Sequence, residues 1–310
     1  MRIGVVVDSS CDLPRSYVEE HGIHVLPTVL EFGGKSYVDS RNPEETMGFF
    51  RRYISDRAIP ARSTACSVDE IRDIFLNELV LAYDRVLVLS ACAARSDTFQ
   101  RATDASYGIL QAYRERRELA GQSGSFSLRV LDSGTLCAGQ GVLACQAVRL
   151  AGEHLPFEKL RRALRDDVRR THCIVVPNDL YYLRNRGLGG AGGGVGRTGY
   201  ALGRLADVKP LVEITSGGTK IVDRARGFAA AASTALERAR DAIRRGLHAP
   251  VVTLSFGGDP RIVRDMPAYQ DLEAHAAAQR VDLHLAVMSA TMGVRLGPGA
   301  LSAAWLEEPA

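Results

Sequence analysis

Short apolar runs alternate with amphipathic stretches through the first half of the chain. Ile3 to Val7 is a β-branched run of the kind buried on both faces of a parallel sheet. It ends in Asp8-Ser9-Ser10, and Asp12 is placed to cap a following helix with Pro14 in its first turn. Ile23 to Leu30 is a second apolar run, and Gly33-Gly34 predicts a turn into a short strand over Ser36 to Val38. Asn42, Pro43 and Glu45 mark a helix start, with Met47, Phe49, Phe50, Tyr53 and Ile54 on its apolar side. The grammar then repeats. Ser67 opens a helix with Ile71, Ile74, Phe75 and Leu79 inward, Arg85 to Ser90 reads as a strand, and a helix follows from about Ser96. Leu128 to Leu131 is another strand, followed by Asp132-Ser133-Gly134 and an Ala-rich helix from about Gly139 to Leu150. Strands that end in Asp or Ser before a helix belong to an open α/β sheet with its ligand at the carboxyl edge.

After about residue 155 the texture changes. An Arg-rich helix carrying Arg161, Arg162, Arg165, Arg169 and Arg170 leads to a strand over Cys173 to Val176 and to Asp179-Leu180-Tyr181-Tyr182-Leu183. The basic run reads first as a solvated helix face and second as a docking surface for an acidic protein. Gly187 to Gly199 is dense in glycine. Lys209 to Ile214 and Lys220 to Val222 read as a hairpin about Gly217-Gly218, and a long Ala/Arg helix runs from Gly227 to about Arg245. Val251 to Phe256 and Leu283 to Met288 are the last clear strands. The expected organisation is a parallel-sheet α/β lobe over 1–153 and a second, smaller α+β lobe over 154–310. The segment from about 285 to 310 is a candidate to return to the interface.

Composition narrows the functions. At 310 residues the chain can build two packed lobes, and 46% hydrophobic with 24% charged residues is the balance of a soluble globular protein. A net charge of +3 gives no general field for nucleic acid. No run approaches the roughly 18 apolar residues of a membrane helix, and no leader pattern opens the chain, so a cytoplasmic location is expected. The six cysteines form no CxxC pair, and the seven histidines no HxxxH or HxH pair, so neither metal nor catalytic cysteine is expected.

Val5-Val6-Val7-Asp8-Ser9-Ser10-Cys11-Asp12-Leu13-Pro14 resembles the opening of the DegV family. Further segments fall in that family's order. They are Ser63-Thr64-Ala65-Cys66-Ser67, Ser96-Asp97-Thr98-Phe99-Gln100-Arg101-Ala102, and Val130-Leu131-Asp132-Ser133 with Gly139-Gln140-Gly141. Asp179 to Leu183, Val208-Lys209-Pro210-Leu211, Arg224-Ala225-Arg226-Gly227 and Gly293-Val294-Arg295-Leu296-Gly297-Pro298-Gly299-Ala300-Leu301 continue the series. The resemblance implies a Rossmann-like lobe beside a smaller α/β lobe, enclosing a long-chain fatty acid. It also implies a carrier without chemistry or cofactor of its own, whose partner is a fatty-acid kinase or other acyl-transferring enzyme.

Carried over residue by residue, the family's head-group contacts fall on Ser63 and Thr64, on Ser96 with Thr98, and on Arg295. Asp8, Ser9, Ser10 and Gly297 are secondary candidates. Ser96 alone would equally be an ordinary N-cap. Three departures bear on the ligand. Arg295 replaces the family's histidine, which could strengthen anion holding, select a different acid, or point outward. Asp97 replaces a glycine and must turn away or pair with a cation such as Arg95 or Arg295. The Gly187 to Gly199 stretch exceeds the family's Gly-Gly-Arg segment, and neither Arg186 nor Arg197 matches that arginine well. That stretch lacks the Gly-Lys-Ser/Thr ending of a P-loop and reads as a surface loop. An α/β enzyme acting on a phosphorylated or nucleotide substrate is the competing class. Hydrolysis through Ser9 or Ser10 lacks a G-x-S-x-G elbow.

Overall fold

The computed structural model describes residues 2–122, 124–186, 207–215 and 218–308. The Gly187 to Gly199 stretch therefore lies outside the described residues.

In chain order the first strands are β1 (Ile3–Asp8), β2 (His24–Leu26), β3 (Thr28–Phe32), β4 (Lys35–Val38), β5 (Ala61–Ala65), β6 (Arg85–Ser90) and β7 (Ser127–Asp132). Between them lie the helices α1 (Arg15–Glu20), α2 (Pro43–Phe49), α3 (Val68–Ile74), α4 (Val80–Ala82), α5 (Thr98–Gly108) and α6 (Tyr113–Leu119). Next come α7 (Ala138–Gly152), α8 (Phe157–Arg170), β8 (Thr171–Val176), α9 (Leu180–Asn185), β9 (Val208–Thr215) and β10 (Gly218–Arg226). The chain continues through α10 (Phe228–Arg245), β11 (Val251–Phe256), α11 (Arg261–Arg264), α12 (Pro267–Ala278), β12 (Asp282–Val287), α13 (Ala290–Leu296) and β13 (Leu301–Leu306).

Strands β2-β1-β6-β7 form a four-stranded, all-parallel sheet, and β10-β9-β8-β13-β11-β12 a six-stranded mixed one. The Val/Leu runs of β1 and β6 are buried on both faces, as helix-covered parallel strands must be. Asn42 and Ser67 cap their helices as expected, Ser67 in a capping box with Glu70. Both helices then continue as π-helical turns, Phe50–Ile54 and Phe75–Leu79. On α8, Arg162, Arg165 and Arg169 face solvent, whereas Arg161 pairs with Glu158 at 2.8 Å and Arg170 with Glu308 at 3.0 Å.

Helix α7 joins the two main sheets. Eleven of its fifteen residues are buried, it reaches solvent only near its C-terminus at Arg149 and Gly152, and it packs on β1 and β6 and on β8, β11 and β13. Gly141 permits this contact, because a Cβ there would fall 2.8 Å from the Asp12 carbonyl oxygen. One apolar cluster runs from Val5 and Leu89 through Leu143 to Val175 and Met292.

Three local expectations are corrected, and one strand went unread. The Ile23 to Leu30 run divides at Pro27, with β2 in the parallel sheet and β3 in a separate antiparallel sheet of order β4-β3-β5. Proline has no N–H for a ladder, which makes it a natural point of transfer. Ser63 and Thr64, which the family resemblance implies to be in a turn, lie on strand β5. The strand β13 was not legible as one, because Leu-Ser-Ala-Ala-Trp-Leu lacks a β-branched signature. Its small residues fit between α7 and α10, which cover it. Finally, Asp12 does not cap α1, whose N-cap is Pro14 without a side-chain bond.

Candidate functional site

Three elements converge on a cleft of about 490 Å³, lined among others by Ser63, Arg95, Ser96, Arg186 and Arg295. Strand β5 supplies Ser63 and, on its more exposed side, Thr64, and both line the cleft. The loop from β6 to α5 supplies Ser96. Its backbone N–H donates to the Cys92 carbonyl at 3.1 Å, and its hydroxyl lies 2.8 Å from the Thr98 hydroxyl and accepts the Thr98 N–H at 3.3 Å. Ser96 thus holds the first turn of α5 while lining the cleft. Thr98 is buried beneath it.

Arg295 comes from α13. Its Nε donates to Ser63 Oγ at 3.3 Å and its Nη1 to the Arg95 carbonyl at 2.9 Å, so the side chain points into the cleft. Burial lowers its pKa. Among the described residues no carboxylate lies within ion-pair distance of it. Arg62, Arg95 and Arg186 line the same cleft, and buried nitrogens of two of them, Arg95 Nε and Arg186 Nη1, have no hydrogen-bond partner. Asp97 faces solvent and pairs with Arg101 at 3.5 Å, not with Arg95 or Arg295. The mouth therefore presents four guanidinium groups, of Arg62, Arg95, Arg186 and Arg295, against one exposed carboxylate, Asp97, and beside the hydroxyls of Ser63, Thr64 and Ser96, an arrangement suited to an anion. Sequence reading missed Arg62 and Arg95; the adjacency of Arg62 to Ser63 and of Arg95 to Ser96 was the available signal.

The secondary candidates lie elsewhere. Ser9 donates towards the Leu26 and Asp39 carbonyls at 3.3 and 3.1 Å and accepts the Thr28 N–H at 3.1 Å, pinning the β2–β3 junction. Asp8 and Ser10 are buried and bonded to each other. Gly297 ends α13 at φ +83°, and any side chain there would run into the Tyr182 ring, so its role is steric.

Helix α13 is fixed from its other end. Asp12 accepts the Ser289 N–H at 2.9 Å and the Ser255 hydroxyl at 2.7 Å. Asp39 accepts the Thr291 N–H at 2.8 Å and its hydroxyl at 2.7 Å. Both carboxylates are buried and both come from the first half of the chain. Behind the mouth, Phe50, Ile54, Tyr182 and Leu296 pack on one another, and a Cβ on Gly293 would meet the Phe50 ring at 2.5 Å. All six cysteines are buried, and burial pushes the Cys11, Cys137 and Cys173 thiols up, away from nucleophilic thiolate. Among the described residues no cluster of three His, Cys, Asp or Glu side chains could hold a metal. None of the described helices is long and apolar enough to cross a membrane.

A family model described as "Uncharacterised protein, DegV family" matches residues 2–308. The chain belongs to the DegV family. A DegV domain-containing protein from Xanthomonas campestris pv. campestris is 38% identical over 309 residues, covering 100% of this chain and 98% of that protein. Among solved structures, a stearic acid-binding protein from Eubacterium ventriosum superposes with a TM-score of 0.77 at 19% identity, covering 98% of each chain. DegV of Bacillus subtilis, described as a fatty acid binding protein, gives 0.75 at 20% identity over 99% of this chain and 100% of its own. These two likenesses establish that the α/β architecture is the DegV fold.

Proposed function

We propose that this DegV protein binds a long-chain fatty acid, with the carboxylate at the Ser63–Ser96–Arg295 mouth and the alkyl tail between the two main sheets. The observation that carries the reading is Arg295, a largely buried cation with donors to spare and no carboxylate partner among the described residues. A buried charge is retained when something pairs with it. Relatives of the same fold are described as binding fatty acids, including stearic acid. Burying an alkyl tail stabilises the complex by about 0.8 kcal/mol per CH₂, more than ten kcal/mol for a long chain before ordering costs.

The apolar groups behind the mouth pack closely in one cluster. The tail therefore enters a space that opens on binding, with the Phe50–Ile54 π-helical turn and Tyr182 the parts placed to move. Residues 1–153 supply the head-group side in this reading. The remainder, 154–310, closes over the tail, and α13 returns from it to bring Arg295 to the mouth. Thr98 and Gly297 support this site without touching the ligand, and Thr64 lies at its rim. Carrying requires no catalyst, and the exposed rim at Ala93, Ala94 and Asp97 leaves the carboxylate accessible to a fatty-acid kinase.

Mass spectrometry of lipid released from the denatured protein, paired with thermal-shift screening, tests the reading. A long-chain acid at about one per chain, and stabilisation by added fatty acids, are expected. Protein that is repeatedly empty and is stabilised by nucleotides but not by fatty acids would overturn it in favour of an enzyme.

A further inference from the structure

Beneath the mouth, three polar side chains form a chain in which protons can be counted. Ser10 Oγ lies 2.5 Å from Asp8 Oδ1 and 2.7 Å from Gln140 Oε1. The Gln140 amide cannot be turned over, because its Nε2 donates to the Leu89 carbonyl at 2.8 Å and a flip would set two oxygens face to face. One hydroxyl proton thus faces two acceptor oxygens. With Asp8 ionised, one of these short contacts holds no proton, and all three side chains are at most 3% exposed. With a proton on Asp8 Oδ1 the chain closes. Asp8 donates to Ser10, Ser10 to Gln140 and Gln140 to Leu89, while Asp8 Oδ2 accepts the Ala91 N–H at 2.6 Å.

We propose that Asp8 is held as a neutral carboxylic acid, and that its neutrality leaves the Arg295 guanidinium without a counter-charge until a ligand carboxylate arrives. The second clause rests on the fatty-acid reading above. Ionisable groups whose charges interact with that of Asp8 include Arg295 from α13, Cys11 and Cys66. Burial keeps both thiols protonated, the Cys66 thiol being pushed up to about 11, so Arg295 is the charged member of the set. Burial also pushes the Asp8 carboxyl above its usual range, in the same direction as the proton count. An ionised Asp8, though beyond ion-pair distance, would set a negative charge acting on Arg295 and would compete with the ligand. Asp8 is on this account a positioning residue that acts through Arg295. Its proximity to the Ala91 N–H ties it to the loop that carries Ser96.

Two measurements decide it. Carbon-13 NMR of the aspartate carboxyls in ligand-free wild-type protein, assigned through the backbone, should show Asp8 still protonated near pH 7; an ionised signal would overturn the proposal. Calorimetric titration with decanoate, which is ionised from about pH 6 to about pH 9, should show affinity weakening several-fold as pH rises in the wild type. The pH dependence should be flattened in Asp8→Asn, and the same dependence in both proteins would overturn the link to Arg295. Wild-type protein that ignores decanoate and longer acids at every pH would defeat the ligand reading itself, while the NMR signal still decides the protonation of Asp8.

Discussion

Arg41 and Arg295 are both largely buried cations beside helix α13, and they are treated in opposite ways. Arg41 is 13% exposed, has Asp12 at 3.5 Å and donates to the Leu13 carbonyl at 3.4 Å. Its partner Asp12 is fully enclosed and also accepts from Ser289 and Ser255. Arg295 has a hydroxyl and a carbonyl but, among the described residues, no carboxylate. The two arginines flank the same helix, α13, one at its N-terminal anchor and one on its last turn. Asp12 of the closed pair ties the first half of the chain to Ser255 and Ser289. The open cation is what a carboxylate ligand would complete.

The largest effect should come from breaking the closed pair. Asp12→Ala strands Arg41 and frees the start of α13, and should cost about 3–5 kcal/mol in denaturant unfolding. Unchanged stability would mean that Arg41 is solvated and the contrast is false. Arg295→Ala should do the converse. Fatty-acid affinity should fall by about 2–5 kcal/mol, roughly thirtyfold or more, with little loss of melting temperature. A strongly destabilised but still binding variant would move Arg295 into the structural class.

The pH dependence of stability sharpens the same contrast. Burial raises the folded-state pKa of Asp8 and of Asp12, so the folded chain binds more protons than the unfolded one above about pH 4. Stability should therefore fall as pH climbs from that value towards the folded pKa values, by at most about 1.4 kcal/mol per unit for each group. Asp8→Asn should remove part of the slope in thermal melts. A slope of opposite sign would show that the donors around these carboxyls outweigh burial.

The smallest effect separates neighbours on one strand. Ser63→Ala should weaken ligand binding by about 1 kcal/mol, close to fivefold, whereas Thr64→Ala, at the exposed rim and without the Arg295 contact, should stay within about 0.5 kcal/mol. Equal losses would mean that β5 presents both side chains to the ligand.

The parallel sheet was legible because strands such as Arg85 to Ser90 are unbroken β-branched and leucine runs, which few other structures accommodate. The capped helices at Asn42 and Ser67 were legible because capping is local chemistry. The strand β13 was not, since its Ser-Ala-Ala centre is chosen by the helices packed on it and not by the strand's own preference. Asp12 shows the same limit. In one dimension it precedes a helix and reads as its cap; in three it grips Ser255 and Ser289, more than 240 residues away along the chain. The direction of Arg295 was left open by sequence for the same reason, and so was the pairing of Asp97 with Arg101. Ser96 and Ser63 could be found only through the family pattern, because a capping serine and a strand serine carry no distinguishing local signal.

A crystal structure of the protein soaked or co-purified with stearate tests the central claim most directly. The account predicts the carboxylate within hydrogen-bonding distance of the Arg295 guanidinium and the Ser63 and Ser96 hydroxyls, with the tail displacing Tyr182 or the Phe50–Ile54 turn. A carboxylate bound away from Arg295, or a tail lying outside the two sheets, would contradict it.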